Sequence, residues 1–256
     1  MTFLDEVLET KRLEIARLRQ HPPRVSALKD AGFGRALGGS GLSVIAEIKR
    51  RSPSKGDLVP DLEPAPTARA YASGGAAAVS CLTDSKFFGA RPDDFADARA
   101  AGLPVLRKDF LIEEIQIDES VRLGASAVLL IARILEASRF RALLRHATAL
   151  GLDVLVEVHD ERELDEALAA GASIVGINNR DLATLAVDPG LALRLRPRIP
   201  ENVLSVAESG VKTRDDVRRI EEAGFSAVLI GETLVRSSDP AATLLDLMGK
   251  RKELSR

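Results

Sequence analysis

Cysteine, tryptophan and long apolar runs are scarce or missing in this sequence. The one cysteine, Cys81, cannot form an internal disulfide, which fits a reducing compartment, and its apolar neighbours predict a buried thiol. No segment approaches the roughly 20 apolar residues that cross a bilayer, and acidic residues interrupt the N-terminus where a secretory signal would be apolar. We therefore expect a cytoplasmic protein without a membrane span.

An excess of positive charge is also missing. The formal net charge is −2, so the sequence shows no electrostatic footprint for nucleic acid or for an anionic membrane. Metal-ligand spacing is absent too, because His21, His146 and His159 are isolated in sequence and only one cysteine is present. We expect no metal or other cofactor, and we assign no chemical role to His159.

Eight short apolar runs are spread along the 256 residues. Four of them belong to a repeated motif, in which a glycine and one to three small residues precede the run. These copies begin at Gly75, Gly124, Gly171 and Gly224. The other runs, which alternate with the copies, are 44–49, 105–108, 153–158 and 203–208. Helical patterns such as 162–170 and 213–223 follow the runs, and glycine at their ends matches helix C-capping.

This alternation predicts an α/β fold with a parallel sheet covered by helices. Nearly continuous apolar strands are typical of parallel sheets buried on both faces, and eight βα units are the number that closes a (β/α)8 barrel. The length also fits one barrel domain over residues 1–256. A doubly wound open sheet gives the same alternation with a different strand order, so it remains the alternative fold.

The first 40 residues precede the first predicted strand. Apolar residues near helical spacing predict an amphipathic helix over 3–18, and we interpret residues 1–40 as an N-terminal helical extension docked on the barrel. Core packing is the favoured role of this helix, and covering of a substrate is the alternative. The segment from Gly32 to Gly38 nearly matches a dinucleotide-binding fingerprint, but its last spacing is wrong and it follows no strand. We expect a flexible link there.

Polar residues close several of the predicted strands. In a (β/α)8 barrel the active site lies at the carboxyl ends of the strands, and alternate strands contribute to one interior layer. The residues in such positions are Glu47, Lys49, Lys108, Glu157, Asn178, Arg180 and Glu208. A mixed lysine and glutamate cluster suits proton transfer, and its cations suit an anionic substrate. The alternative is an ion-pair cluster that only caps the core, which desolvation makes costly.

Phosphate binding is the second chemical signal. Gly210 precedes a helix with Thr213 as its expected N-cap, and Gly231-Glu232-Thr233 follows the last strand. Loops after the seventh and eighth strands of such barrels commonly bind phosphate through backbone N–H groups and a helix N-terminus. Glycine also serves ordinary turns, so each position taken alone is a weak indication.

Several motifs, in order along the chain, resemble those of indole-3-glycerol-phosphate synthases. The most specific is VIAEIKRRSPSKG at 44–56, with its Ser-Pro-Ser loop. The others are LTD with FFG at 82–89, LRKDF at 106–110, LVEVH at 155–159, GINNRDL at 176–182 and AESG at 207–210. The resemblance covers about residues 40–240 and implies a (β/α)8 TIM barrel with an N-terminal extension.

The resemblance also implies a carboxy-lyase of tryptophan biosynthesis that needs no cofactor. Its substrate would be 1-(2-carboxyphenylamino)-1-deoxyribulose 5-phosphate, a sugar phosphate carrying an anthranilate group. The enzyme would close the ring, release carbon dioxide and water, and form indole-3-glycerol phosphate. The resemblance assigns the general acid to Lys108, proton removal to Glu157 and orientation of the groups to Asn178. Lys49, with Glu47 as its partner, would steer the substrate carboxylate and help to expel water.

The binding residues carry over in the same way. Phosphate contacts fall on Ser52, Ser209, Gly210, Gly231 and Glu232, and the substrate pocket falls on Phe110, Arg180 and Glu208. Because Glu232 is acidic, only its backbone N–H could contact the phosphate. After Phe110 the chain has Glu114-Ile115 where many members have Pro-Tyr, so the detail of that loop stays open.

Two other functions remain open from the residues alone. A lysine with a depressed pKa at a strand end could form a Schiff base, so one is an aldolase that uses Lys49 or Lys108. The other is a barrel that only senses or carries a sugar phosphate. In each case the expected partner is a small anionic molecule, and we expect a monomer or weak homo-oligomer.

Overall fold

Eight parallel strands hydrogen-bond in chain order and close into a barrel, because the first strand pairs with both the second and the eighth. This computed structural model describes residues 2–29 and 31–250. The strands are β1 (Ser43–Ile48), β2 (Ala78–Leu82), β3 (Val105–Lys108), β4 (Ala127–Ile131), β5 (Asp153–Val158), β6 (Ile174–Asn178), β7 (Leu204–Glu208) and β8 (Ala227–Ile230). The closed order confirms the barrel prediction and rules out the open sheet.

Helices surround the barrel and alternate with its strands. They are α1 (Phe3–Leu18), α2 (Phe33–Leu37), α3 (Pro64–Ser73), α4 (Ser85–Phe88), α5 (Asp94–Ala98), α6 (Glu114–Leu123), α7 (Ala137–Ala149), α8 (Glu161–Ala169), α9 (Leu191–Leu195), α10 (Arg214–Glu222), α11 (Glu232–Val235) and α12 (Pro240–Leu247). Strand pair 51–52 and 56–57 forms a hairpin after β1. Within the described ranges, no helix is long and apolar enough to cross a membrane.

The predicted helix boundaries agree with the structure to within one residue. The patterns at 162–170 and 213–223 correspond to α8 and α10. Thr213 is the N-cap of α10, as expected, and its side chain accepts a hydrogen bond from the Asp216 backbone in a capping box. Cys81 is fully buried, as its apolar neighbours indicated.

Strand geometry directs four charged side chains into the open end of the barrel. Side chains two residues apart on a strand point to the same face. Ile45, Leu106, Leu155 and Val206 pack inside the barrel, and a charged residue stands two positions after each of them. The interior is therefore apolar below and charged at the carboxyl ends of the strands. The outward faces of the strands pack against the helices in a separate apolar layer.

The expected flexible link between Gly32 and Gly38 is wrong. This segment forms α2, in which Phe33 and Leu37 are fully buried inside the barrel. The Gly34 backbone N–H donates to Oδ2 of Asp153, the first residue of β5, at 2.8 Å. Because strands begin at the amino-terminal end of the barrel, α2 closes the barrel at that end. Burial of two large side chains outweighs the poor helix propensity of the glycines.

The predicted N-terminal helix is present as α1. Val7 and Ile15 are buried, as the predicted packing requires, and Lys11 lies between them on the same face with no exposed surface. The Lys11 ammonium is 2.7 Å from Asp84 Oδ2 and 2.8 Å from Asp109 Oδ1. These carboxylates follow β2 and β3, so one buried cation joins α1 to the carboxyl ends of two strands.

Candidate active site

A cavity of about 770 Å³ opens at the carboxyl ends of the strands. Every residue predicted for the site lines it: Glu47, Lys49, Ser52, Lys108, Phe110, Glu157, Asn178, Arg180, Glu208, Ser209, Gly210, Gly231 and Glu232. The sequence pattern did not reveal the contributions of Phe3, Phe88 and Lys212. Among the described residues, no cluster of histidine, cysteine and carboxylate side chains could hold a metal ion.

Lys108 is the centre of the charged layer. Its Nζ lies 3.0 Å from Glu157 Oε2 and 2.7 Å from Glu208 Oε2. Burial alone would lower the pKa of Lys108, but the charges of Glu157 and Glu208 outweigh it and raise the pKa. Lys108 is therefore a buried ammonium that can donate a proton or a hydrogen bond into the cavity.

The two carboxylates beside Lys108 differ in their affinity for a proton. Burial raises the pKa of Glu208 to about 7, because the charge of Glu157 adds to the effect of burial and the attraction of Lys108 does not fully compensate. Burial also opposes ionisation of Glu157, but Lys108, His159 and Asn178 together hold its pKa well below the ordinary range. Near neutral pH, Glu157 is thus ionised while Glu208 can take up or release a proton, a separation typical of acid and base sites.

Glu208 keeps one oxygen unpaired, because Oε1 is buried without a hydrogen-bond partner among the described residues. The strand opposite that oxygen carries Gly176, which belongs to the interior face of β6. A Cβ built on Gly176 would overlap Glu208 Oε1 and approach a Leu155 methyl carbon to 3.2 Å. The glycine therefore leaves the room that the Glu208 carboxylate occupies.

Gly176→Ala should displace Glu208 from Lys108 and lower kcat/KM by about a hundredfold, the scale of a 1 Å misplacement of a reacting group. Steady-state kinetics on the purified variant measure this. Gly39→Ala is the control, because a Cβ there meets nothing within 4 Å. Equal activity of the two variants would contradict the assignment of Glu208 to the reacting cluster.

Lys49 and Glu47 form a second charged pair at the end of β1. Lys49 Nζ donates a hydrogen bond to Glu47 Oε1, and both side chains are mostly buried. Gly231 faces them from the end of β8, and a Cβ at this position would overlap the Glu47 carboxylate. Lys49 is therefore a cation held at the rim of the cavity, next to the loop that follows β8.

Backbone turns after β7 and β8 line the side of the cavity next to this pair. Ser209 and Gly210 both have positive φ angles, of 65° and 87°, and Asn179 Nδ2 donates to the Ser209 carbonyl at 3.0 Å. Thr233 Oγ1 donates to the Val211 carbonyl at 2.8 Å, which ties the loops after β7 and β8 together. These loops form the side of the cavity for which the sequence predicts phosphate binding.

The N-terminus of α10 contributes less to this side than the sequence indicated. Asp216 Oδ2 accepts the backbone N–H groups of Lys212 and Thr213, so the helix caps itself. Ser52 is available instead, because its Oγ is buried without a hydrogen-bond partner among the described residues and it lines the cavity. Lys212 adds a cation to the same lining.

Aromatic rings form the apolar side of the cavity. The ring centroid of Phe110 lies 6.3 Å from that of Phe88 and 6.4 Å from that of Phe3, which belongs to α1. Leu182, after β6, lines the same cavity, as does Arg180, whose Nη1 donates to the Leu185 carbonyl at 2.9 Å. The cavity thus has an apolar side, a side formed by the loops after β7 and β8, and a lysine between two carboxylates.

These features define a (β/α)8-barrel enzyme for a small anionic substrate. The family described as indole-3-glycerol phosphate synthase matches residues 4–247, and the chain belongs to this family. Indole-3-glycerol phosphate synthase 2 of Streptomyces coelicolor is 53% identical over 85% of this chain and 84% of its own length. The Chlorobium phaeovibrioides synthase is 47% identical over 93% of this chain and 96% of its own.

Similarity to solved structures extends to the fold alone. Thiamine phosphate pyrophosphorylase from Pyrococcus furiosus superimposes with a TM-score of 0.60 at 16% identity, over 82% of this chain and 95% of its own. The family prediction is confirmed by the sequence relatives, whereas the roles of individual site residues stay predictions.

Proposed function

We propose that this chain converts 1-(2-carboxyphenylamino)-1-deoxyribulose 5-phosphate to indole-3-glycerol phosphate, carbon dioxide and water. The supporting observation is the position of Lys108, held by Glu157 and Glu208 between the apolar side of the cavity and the loops after β7 and β8. The substrate has the matching parts: an aromatic ring, a reacting carbonyl in the middle and a phosphate at the far end. The reaction belongs to tryptophan biosynthesis.

Binding follows the division of the cavity. The phosphate contacts Ser52 Oγ and the backbone N–H groups at Ser209, Gly210, Gly231 and Glu232, where the Glu232 side chain is turned towards Arg236 at 3.4 Å. The aromatic ring packs against Phe110, and Arg180 closes the pocket from the β6 side. Lys49 attracts the ring carboxylate, and Glu47 holds the lysine in place.

Chemistry then takes place at the carbonyl carbon. As the carboxylate-bearing ring carbon attacks this carbonyl, Lys108 donates a proton to the carbonyl oxygen, which becomes a hydroxyl group. The ring carboxylate leaves as carbon dioxide, and its bonding electrons restore the aromatic ring. Glu157 next removes a proton from the carbon beside nitrogen, the hydroxyl leaves as water with help from Lys49, and Asn178 orients these groups.

A Schiff-base aldolase fits the site less well. Nucleophilic attack needs a neutral amine, whereas the carboxylates around Lys108 raise its pKa and keep it protonated. Lys49 is likewise paired with Glu47. Borohydride reduction with substrate present should therefore leave both lysines unmodified, and a mass increase on either one would support the aldolase.

The assay mixes purified protein with the carboxyphenylamino sugar phosphate and follows indole fluorescence without added metal or cofactor. The chain has no tryptophan, which keeps the background low. Growth of the indole signal with release of carbon dioxide supports the proposal. Saturable binding of the substrate without product would instead indicate a barrel that only carries a sugar phosphate.

We also propose that the enzyme works in the cytoplasm as a monomer or weak homo-oligomer, without nucleic acid or membrane partners. The single cysteine and the net charge of −2 support this setting. Sedimentation of the purified chain across a concentration series tests the oligomeric state.

A further inference from the structure

His159 occupies an unusual position directly behind the reacting cluster. It follows β5, and only 1% of its side chain is exposed. Its Nδ1 lies 3.1 Å from Glu163 Oε2 on α8 in a hydrogen bond, and its Nε2 lies 3.2 Å from Glu157 Oε1 in an ion pair without hydrogen-bond geometry. The imidazole is therefore enclosed between two carboxylates, one of which also contacts Lys108.

The contacts continue outward from Glu163. The His159 backbone N–H donates to Glu163 Oε2 at 2.8 Å, and Arg133 Nε donates to Glu163 Oε1 at 2.7 Å. Arg133 also pairs with Asp181 at 2.6 Å, in the loop after β6 that lines the cavity. Charges thus alternate in sign from Lys108 to the loop after β6.

The imidazole is surrounded by groups that favour its charged form. Burial lowers the pKa of His159, but Glu157 on β5 and Glu163 on α8 outweigh it and raise the pKa to about 9. The next charges are Lys108, beyond Glu157, and Arg133, beyond Glu163. Both cations contact the carboxylates and neither contacts the imidazole, so they do not cancel the effect of the carboxylates on it. With a pKa of about 9, His159 is an imidazolium at neutral pH.

We infer that His159 is a positioning residue for Glu157, whose Oε1 it holds so that Oε2 faces Lys108 and the substrate in the ionised form. This inference rests on the proposed function, in which Glu157 acts as a base. His159 does not contact the cavity, because Glu157 stands between them. It therefore acts only through that carboxylate, and a neutral side chain in its place leaves Glu157 with one cationic partner.

The first test compares His159→Gln with the intact enzyme in pH profiles of kcat/KM. Without the imidazolium, Glu157 binds its proton more tightly, so the acidic limb should move to higher pH by about one unit or more. Glu157 stays ionised at neutral pH, but its carboxylate is no longer held in place, so the rate there should fall at least about tenfold, while binding of inorganic phosphate stays unchanged. A variant with an unmoved acidic limb would overturn the inference, whatever its stability.

Glu163→Gln tests the outer contact with the opposite sign. Loss of this carboxylate lowers the pKa of His159 from about 9, so the imidazolium is lost as the pH rises through a lower value. The alkaline limb should therefore move to lower pH. His146→Gln is the matched control, because His146 also pairs with a carboxylate, that of Asp118 on α6 at 2.7 Å, but neither residue lines the cavity. Its profile should match that of the intact enzyme.

An NMR titration of the histidine rings separates the two proposals. A His159 resonance that titrates near pH 9 and moves down in Glu157→Gln supports the contact whether or not product forms. An ordinary value near 6.5 in an enzyme that makes indole would overturn this inference alone. Absence of product from the intact chain would overturn the proposed function instead.

Discussion

Lys108→Met should lower kcat/KM for indole formation by at least about a hundredfold, because transfer of a proton by a positioned side chain contributes about 10²–10⁴-fold. The loss should appear mainly in kcat, since Lys108 acts on charge that develops at the carbonyl oxygen. Stopped-flow fluorescence with saturating substrate measures the chemical step directly. Binding of inorganic phosphate, on the far side of the cavity, should change little.

The same replacement has a second measurable effect. Without Lys108, Glu208 loses both the charge and the hydrogen bond that oppose the effect of burial, so its pKa should rise above about 7. The carboxylate is then protonated at neutral pH, which avoids two buried negative charges side by side. Lys86→Met is the control, because Lys86 forms an exposed ion pair with Glu6. Equal activity in the two variants would contradict the acid role of Lys108.

Lys11→Met should lower the free energy of unfolding by about 3–5 kcal/mol, the usual cost of breaking a buried ion pair from one side. Asp84 would remain buried after losing its cation, Asp109 would keep only its ion pair with Arg107 at 3.3 Å, and α1 would lose its link to the ends of β2 and β3. Urea denaturation followed by circular dichroism measures the change. Lys86 also joins a loop helix to α1, but on the surface, so Lys86→Met should cost at most about 1 kcal/mol.

A second substitution distinguishes charge from shape at this position. In Lys11→Met combined with Asp84→Asn, the buried charge of Asp84 that lost its cation is removed, so part of the lost stability should return. If the double variant is less stable than the single variant by the full cost of Asp84→Asn alone, the two side chains act independently. That outcome would contradict the buried ion cluster.

Period-two alternation accounts for most of what the sequence could predict about the site. Ile45 and Glu47 illustrate it: an apolar side chain fixes the face of the strand, and the charged one follows on the same face at the open end. Repetition of this arrangement on β3, β5 and β7 requires the charges to converge once the sheet closes. The closure of the sheet into a barrel follows from the number of βα units, which is eight.

The parts that the sequence concealed depend on contacts between distant segments. Phe33 and Leu37 stand among glycines, which have weak helix propensity, and only the barrel interior makes a helix favourable there. Lys11 gave a usable signal, because it falls four residues from both Val7 and Ile15 on the buried face of α1. A charged residue at that spacing indicates a buried partner of opposite charge. The helix pattern cannot identify the partners, because Asp84 and Asp109 lie 73 and 98 positions further along the chain.

His159 was concealed for a different reason. It comes one residue after the end of β5, where a side chain can face solvent as easily as the interior. Glu163, four residues later on α8, turns it inward by accepting its backbone N–H. The spacing of four residues therefore indicates that His159 and Glu163 can interact. Only the packing of α8 against the barrel shows that the His159 side chain points inward.

The packed interior of the barrel, which α2 closes at its amino-terminal end, separates the cavity from that end of the molecule, so small molecules reach the cavity only from the carboxyl ends of the strands. Substrate must enter, and carbon dioxide, water and the indole product must all depart, past the rim that carries Lys49, Ser52 and Arg180. Substrate and product thus use the same opening, and a second substrate molecule cannot enter from the amino-terminal end of the barrel while product is bound. The rate of product release therefore sets an upper bound on kcat, however fast the proton transfers are.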